Sequence, residues 1–582
     1  MQTLPSKDEI LGYECRHAVY LPGHPSSPND AVFIKEIIHC KDGRLIPNHR
    51  LVKNFQRDFY VTREGYQKHK DKKQSERLDR LQKHTCTQKE LMPKIARLFK
   101  RNLNNLQMRQ LARSPFLYGA DMSTPAIIKH GYRKRWSDCS SAAKVAVLDI
   151  ETDMINGTEE IICISVTCKE NIVLAVVKSF IESVPDWKRR LEEKFNFYLS
   201  EMKSTKDDKV FNIIKERNLK LEIIEADTAG MACAAVLARA HEIKPDWMAV
   251  WNIDFDLPRV MAALERDNYN LADVFSDPSV PPEFRYCHYK QGSQSRLTAS
   301  GKHMPLAPDE RWHVMTTPSS FYWIDAMCVY SMIRKAKGRK ASYALDAILN
   351  DELGLRKLKF TEADSYEKGA WHTFMQSNFK IEYLVYNIFD CVSVEMLDEK
   401  TYDLSITISE LCEHSEYRHM NSTPQQLADD LHFFYLDRGR AIATRSDQMA
   451  DELDDDVVSM DGWIITLAAH LVADEGLRLF KDVPKIRSLW RMWVSDLDVK
   501  SAYPYTQIIL NISKATTMLE LCNIEGVIEN ERRIAGLNIT GGDVNVIDFC
   551  TRIYKAPQLI KLAEAYEKEH GIEFVERFQQ AA

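Results

Sequence analysis

Three short groups of acidic and hydroxyl side chains carry the chemistry this sequence can offer. Asp149 and Glu151 close the apolar run KVAVLDIE (144–151). Two residues apart on a β-strand, they share one face. Paired hard carboxylate oxygens at the end of a buried strand suit Mg²⁺ or Mn²⁺. The stretch Trp251-Asn252-Ile253-Asp254-Phe255-Asp256-Leu257-Pro258 follows a second apolar run, WMAVWN (247–252). Read as the end of a strand, it puts Asp254 and Asp256 on one face and adds the neutral hydrogen-bonding group of Asn252. Tyr386 and Asp390 lie four apart in KIEYLVYNIFDCVSVEMLDEK (380–400), which is apolar at helical spacing. On a helix that spacing brings phenol and carboxylate to one place. A tyrosine hydroxyl there can orient a metal-bound water for attack. Taken singly, each group is more often structural.

Predicted strands and helices surround these residues. The runs 161–167 (IICISVT) and 171–177 (NIVLAVV) read as strands, and the Gly157 stretch before them as a hairpin-type break. A charged, helical insertion is predicted over 186–220, followed by a strand at 221–226 (LEIIEA). Residues 230–243 (GMACAAVLARAHEI) have helical composition, ended by Lys244-Pro245-Asp246. The fold class expected is mixed α/β.

The chain has 582 residues, 45% apolar and 28% charged, which excludes fibrous and disordered classes. That length corresponds to about three or four domains at ~150 residues each. The expected divisions are a basic N-terminal domain at 1–143, a central domain at 144–400 and a connecting region at 401–485. An acidic linker is expected at 447–461 and a last domain at 486–582. Mean hydropathy is −0.36, and no apolar run approaches the ~18–20 residues of a membrane span. The start, MQTLPSKDEI, lacks the pattern of a signal peptide. Thirteen cysteines without a CxxC pair read as reduced cytosolic thiols, not as a disulfide framework or zinc site.

The net charge of −6 is uneven. The first 144 residues hold 28 basic and 14 acidic side chains, net +14, so the remainder carries −20. A basic front points to a polyanion partner. Within it, Phe55, Phe59, Tyr60 and Tyr66 alternate with Arg57, Arg63, Lys68, Lys70, Lys72 and Lys73. That mixture can neutralise phosphates and stack on bases, or it can be a solvated helix whose aromatics enter the core.

Taken in order, D-x-E on a strand, N-x-x-F-D-x-P after a helix and strand, and Y-x-x-x-D on a helix resemble the 3′–5′ exonuclease domain of family B DNA polymerases. The likeness extends through Trp323-Ile324-Asp325, Ser342-Tyr343-Ala344-Leu345-Asp346, Glu352-Leu353-Gly354 and Lys357-Leu358-Lys359. It implies a ribonuclease-H-like fold for the central domain. By the resemblance, Asp149, Glu151, Asp256 and Asp390 hold two divalent metal ions, Mg²⁺ or Mn²⁺, and Tyr386 positions the attacking water. Asn252 and Phe255 then meet the unpaired 3′ end. The family usually has one more residue between the Asn and Asp of the second motif. Phe255-Asp256-Leu257-Pro258 aligns better, so Asp256 is preferred to Asp254.

Residues 494–504, VSDLDVKSAYP, resemble the first palm motif of the same family, D-x-x-S-L-Y-P, and Asn511-Ile512-Ser513 matches its T-even-like bacteriophage branch. The resemblance implies that Asp498 binds a polymerisation metal with a dNTP-bound Mg²⁺. Ser501 would lie along the triphosphate and Tyr503 under the sugar, with Ala502 where Leu is usual. The second palm motif D-T-D-S and the fingers helix K-x-x-x-N-S-x-Y-G do not occur. The expectation is the N-terminal subunit of a split phage-type polymerase in a bacterial cytoplasm, bound to primer–template DNA and single-stranded 3′ ends. A second chain would supply the remaining palm, fingers and thumb, with a sliding clamp and replisome proteins as further partners and no membrane. Alternatives are an autonomous 3′–5′ exonuclease with a remnant palm, and a non-catalytic scaffold that binds primer–template.

Overall fold

The computed structural model describes residues 4–446 apart from 71, 105, 203–209, 211–213, 299–300, 367–368, 413 and 421. Asp498, Ser501, Tyr503, the acidic stretch 447–461 and the whole of 486–582 lie outside the described residues.

Ahead of the acidic motifs the chain forms small antiparallel sheets. β1 (Ile10–Leu21), β2 (Ala31–Cys40) and β3 (Leu45–Lys53) pair in that order, and β2 is buried along its whole length. β4 (Arg57–Thr62) lies between β6 (Leu81–Cys86) and β7 (Leu117–Tyr118). β5 (Ser75–Arg77) pairs with β18 (Arg440–Ile442), so the chain returns near residue 440 to its N-terminal region.

The basic segment is strand and turn, not helix, because its aromatic residues alternate into a sheet core. Phe59 on β4 is fully buried. Arg57 beside it is buried too, donating to the Gly119 and Ala120 carbonyls. Lys72 donates to the Ala112 and Ser114 carbonyls, and Lys73 pairs with Glu76. Tyr66, Lys68 and Lys70 are exposed.

The central sheet holds six strands: β8 (Val145–Thr152), β9 (Ile161–Cys168), β10 (Asn171–Val177), β11 (Lys220–Ala226), β12 (Trp247–Val250) and β17 (Tyr322–Asp325). Their spatial order is β11-β10-β9-β8-β12-β17. β8, β9 and β10 form an antiparallel meander, and β11, β12 and β17 add to its two sides in parallel. Between β12 and β17, β13 (His288–Lys290) pairs with β16 (Val314–Thr316), and β14 (Ser295–Leu297) with β15 (His303–Pro305).

Alternation along the strands builds two cores. Val145, Val147, Leu174, Trp247 and Ala249 pack on one side with the helices Trp187–Glu201, Ala326–Ile333 and Lys380–Thr401. Ala146, Leu148, Ile150, Val173 and Met248 pack on the other with the helices Ala229–Ile243 and Ile253–Arg266. The described residues are therefore mixed α/β, with helices on both faces of the sheet. Asp149 and Glu151 have the same parity as Val145 and Val147, so they face the layer of Lys380–Thr401. Leu174 at the sheet centre is fully buried. Leu174→Ala is expected to cost about 3 kcal/mol in a denaturant melt, from lost burial and the cavity left behind.

Candidate active site

Where β8 leaves the core, its odd-numbered residues change from apolar to acidic. The ligand oxygens of Asp149, Glu151 and Asp390 all lie within 4.8 Å of one another. Asp256 completes the group, and all four line one cavity of about 530 Å³ with Tyr386, Asn252, Phe255, Lys357 and His372. That volume is within the ~300–1,000 Å³ of ordinary ligand clefts. Two other cavities, about 600 and 940 Å³, contain none of these carboxylates.

Helix Lys380–Thr401 presents Tyr383, Tyr386, Asn387 and Asp390 at i, i+3, i+4 and i+7, one continuous stripe. Each strand acid has a partner on it. Asn387 Nδ2 donates to Asp149 Oδ2 at 2.7 Å, and the Tyr383 hydroxyl donates to Glu151 Oε2. Lys357 Nζ reaches Asp390 Oδ2 at 2.6 Å and the Tyr386 hydroxyl at 3.0 Å. Gln376 fixes the end of the strand by donating to the Thr152 carbonyl and accepting from Met154 N.

Crowding of buried acids sets the electrostatics. Burial first, then the charges of Asp256 and Asp390, holds the Asp149 carboxyl well above its usual range. Glu151 is pushed up to about 8, chiefly by burial. Asp256 is raised by burial and by Glu151, and Asp390 by burial against the opposing pull of Lys357. One ammonium cannot neutralise four carboxylates, so their full ionisation requires added cations. Closely spaced, hard oxygen donors fit a divalent cation of the Mg²⁺ or Mn²⁺ type.

The second motif departs from the strand geometry expected for it. Helix Ile253–Arg266 begins immediately after Asn252. Two residues on a helix turn by about 200°, so Asp254 and Asp256 diverge. Asp256 faces the cavity and is 4% exposed. Asp254 turns the other way and accepts from Gln291 Nε2 at 2.6 Å and Gln294 Nε2 at 2.7 Å. The turn is anchored from a distance, since Asp325 Oδ2 accepts from Ile253 N at 3.0 Å and Oδ1 from Cys328 N at 2.6 Å. Asn252 is exposed and its side chain makes no cap to the helix it precedes. Phe255 is 40% exposed at the cavity rim, with the Arg259 guanidinium 3.8 Å above its ring and Glu159 holding that arginine.

His313, Asp325 and Cys328 form another close group of metal-ligand types. Its donors are already committed. Both Asp325 oxygens accept helix N–H groups, and His313 Nδ1 accepts from Gly292 N. The proton of that imidazole then sits on Nε2, which removes it as a ligand.

Four residues were missed in the sequence. Tyr383 and Asn387 were accessible from the helical spacing around Tyr386, because they complete its stripe. Lys357 lies in the Lys357-Leu358-Lys359 segment and only tertiary packing brings it to Asp390. His372 carries no local signal. No protein-family model matches the chain, and no curated protein matches it either.

Proposed function

We propose that this chain is a metal-dependent 3′–5′ exonuclease acting on single-stranded DNA ends, within the N-terminal part of a family B DNA polymerase. The observation that carries the reading is the convergence of Asp149, Glu151, Asp256, Asp390 and Tyr386 on one cavity from a strand and two helices. In this reading the central sheet and its helices are the ribonuclease-H-like unit that the motif order implies. Asp149, Glu151, Asp256 and Asp390 would hold two divalent ions. Such ions supply activation of water and neutralisation of the charge that develops on the phosphate.

The protein side chains do the rest. The Tyr386 hydroxyl stands at the cavity wall with Lys357 Nζ against it, placed to orient an attacking water. Lys357 is the cation nearest the acids and offsets charge on a phosphate drawn into them. Phe255, half out of the surface, gives an apolar face to an unpaired terminal base. The exposed Lys68 and Lys70 belong to the basic front, which would meet the DNA backbone.

The polymerase half of the proposal rests on Asp498, Ser501 and Tyr503 in the sequence. Its second palm carboxylate and its triphosphate-gripping helix would come from further sequence or from a second chain. Among the described residues no helix is long and apolar enough to cross a membrane. A scaffold without catalysis would have no use for four mutually repelling buried acids, which cost folding stability.

With 5′-labelled single-stranded DNA and Mg²⁺, the protein should produce a ladder shortened from the 3′ end, and chelation should stop it. An intact substrate under those conditions overturns the reading. Lys357→Met is expected to slow the same reaction by about 10- to 100-fold, mainly in kcat, the scale of one charge-stabilising donor. A single-turnover time course measures it.

A further inference from the structure

His372 lines the acidic cavity, and the chemistry above leaves it without a role. It sits on helix Gly369–Asn378 with its side chain 32% exposed and Nδ1 3.7 Å from Glu151 Oε2. The ring stands edge-on to Trp371, Tyr383 and Tyr386, at centroid distances of 4.9, 5.8 and 6.3 Å, so its orientation is fixed. His372 Nδ1 is 2.8 Å from the Tyr383 hydroxyl oxygen.

A phenol carries one proton, and Tyr383 gives its proton to Glu151 Oε2. With Glu151 ionised, as the cation-holding site of the exonuclease reading requires, the hydrogen between His372 and Tyr383 comes from the imidazole. That makes His372 the Nδ1–H tautomer and leaves a lone pair on Nε2. Phosphate oxygens are acceptors and cannot use it. Of the groups on the sugar at a DNA strand end, the 3′-hydroxyl alone is a donor, and it lies one deoxyribose away from the phosphorus to be attacked.

We propose that His372 Nε2 accepts the hydrogen bond of the terminal 3′-hydroxyl, so that His372 is the residue by which the site recognises a free 3′ end. This rests on the exonuclease reading of the neighbouring carboxylates. It implies a preference for 3′-hydroxyl ends over 3′-deoxy ends. It also implies exclusion of 3′-phosphate ends, whose oxygens meet a lone pair and the Glu151 carboxylate.

The test compares otherwise identical single strands ending in 3′-hydroxyl or 3′-deoxyribose. Binding is read by fluorescence anisotropy in Ca²⁺, and hydrolysis separately in Mg²⁺. The wild-type chain is expected to bind the hydroxyl end roughly 3- to 10-fold more tightly, the worth of one neutral hydrogen bond. His372→Phe should bring that ratio to about one and act on KM more than kcat. His372→Gln, whose amide oxygen also accepts, should restore most of it. Equal wild-type binding of both ends, or a preference retained by His372→Phe, overturns the assignment while hydrolysis in Mg²⁺ leaves the exonuclease reading standing. Should the phenylalanine variant not fold, His372→Leu, which likewise lacks an acceptor, takes its place in the same comparison. No hydrolysis of either strand by the wild-type chain in Mg²⁺ removes the exonuclease reading itself.

Discussion

Asp149→Asn is expected to lower Mg²⁺-dependent hydrolysis of single-stranded DNA by at least ~10³-fold, a barrier increase of about 4 kcal/mol. The size follows from position. Asp149 is fixed by the Asn387 amide at 2.7 Å and shares the close oxygen cluster with Glu151 and Asp390. Asparagine keeps an oxygen for that hydrogen bond and loses the negative charge a cation needs. The fold should not suffer. A carboxyl held well above its usual range by burial and by like charges gains nothing from ionising in the absence of a cation. The cation-free variant should therefore melt no lower than the wild type. Asp254→Asn is the internal comparison, because Asp254 points to Gln291 and Gln294 and away from the cavity. Its rate should stay within about twofold of wild type. Calorimetry and a gel-based rate on matched preparations check both. A tenfold loss from Asp254→Asn, or a near-normal rate in Asp149→Asn, would displace the metal assignment.

The parts of this site legible in the sequence are those set by local periodicity. Strand parity alone sends Val145, Val147, Asp149 and Glu151 to one side of the sheet. Helical spacing alone puts Tyr386 and Asp390 on one stripe, and the same rule applied further reaches Tyr383 and Asn387. The expected strands at 161–167, 171–177 and 221–226 and the helix at 230–243 lie inside β9, β10, β11 and Ala229–Ile243. Asn252 to Pro258, extended by its local pattern, is helical from Ile253 for a tertiary reason. Pro258 argues locally against a helix. The helix nevertheless starts at Ile253, because Asp325, 72 residues later, captures the Ile253 N–H. Lys357 and His372 depend on packing across 33 residues to Asp390 and 221 residues back to Glu151, which no local pattern encodes. In the basic front, composition leaves open a phosphate- and base-binding array or a solvated helix whose aromatics enter the core. The strand period instead buried Phe59 and Arg57 and left Lys68 and Lys70 outside.

In the absence of divalent ions, stability is expected to fall as pH rises from about 6.5 to 8, and Mg²⁺ is expected to cancel the fall. The signs can be worked out group by group. Glu151 has an ordinary value of 4.5 and is pushed up to about 8, so through this window the folded state keeps a proton that the unfolded chain has lost. Asp149 and Asp256 are raised in the same direction. Histidines oppose this at lower pH. His372 and His414 are both lowered to about 4, chiefly by burial, so they favour folding increasingly as pH rises towards 6.5 and contribute nothing more above it. In the window from 6.5 to 8 the histidines drop out and the raised carboxyls set the fall, opposed towards its upper end by Lys72, whose ammonium burial lowers to about 8. At about 1.4 kcal/mol per unit, the proton that Glu151 retains across this window amounts to about 2 kcal/mol, and Asp149 and Asp256 act in the same direction. A cation ionises the same groups, so its stabilisation must grow with pH. Melting curves in a chelating buffer should peak near pH 6.5 and drop towards pH 8. Added Mg²⁺ should shift the midpoint little at pH 5.5 and strongly at pH 8, and Glu151→Gln should flatten both trends. A midpoint independent of pH in chelator, or a Mg²⁺ shift of equal size at both ends, would mean that these carboxylates are neither strained against one another nor the seat of the ion.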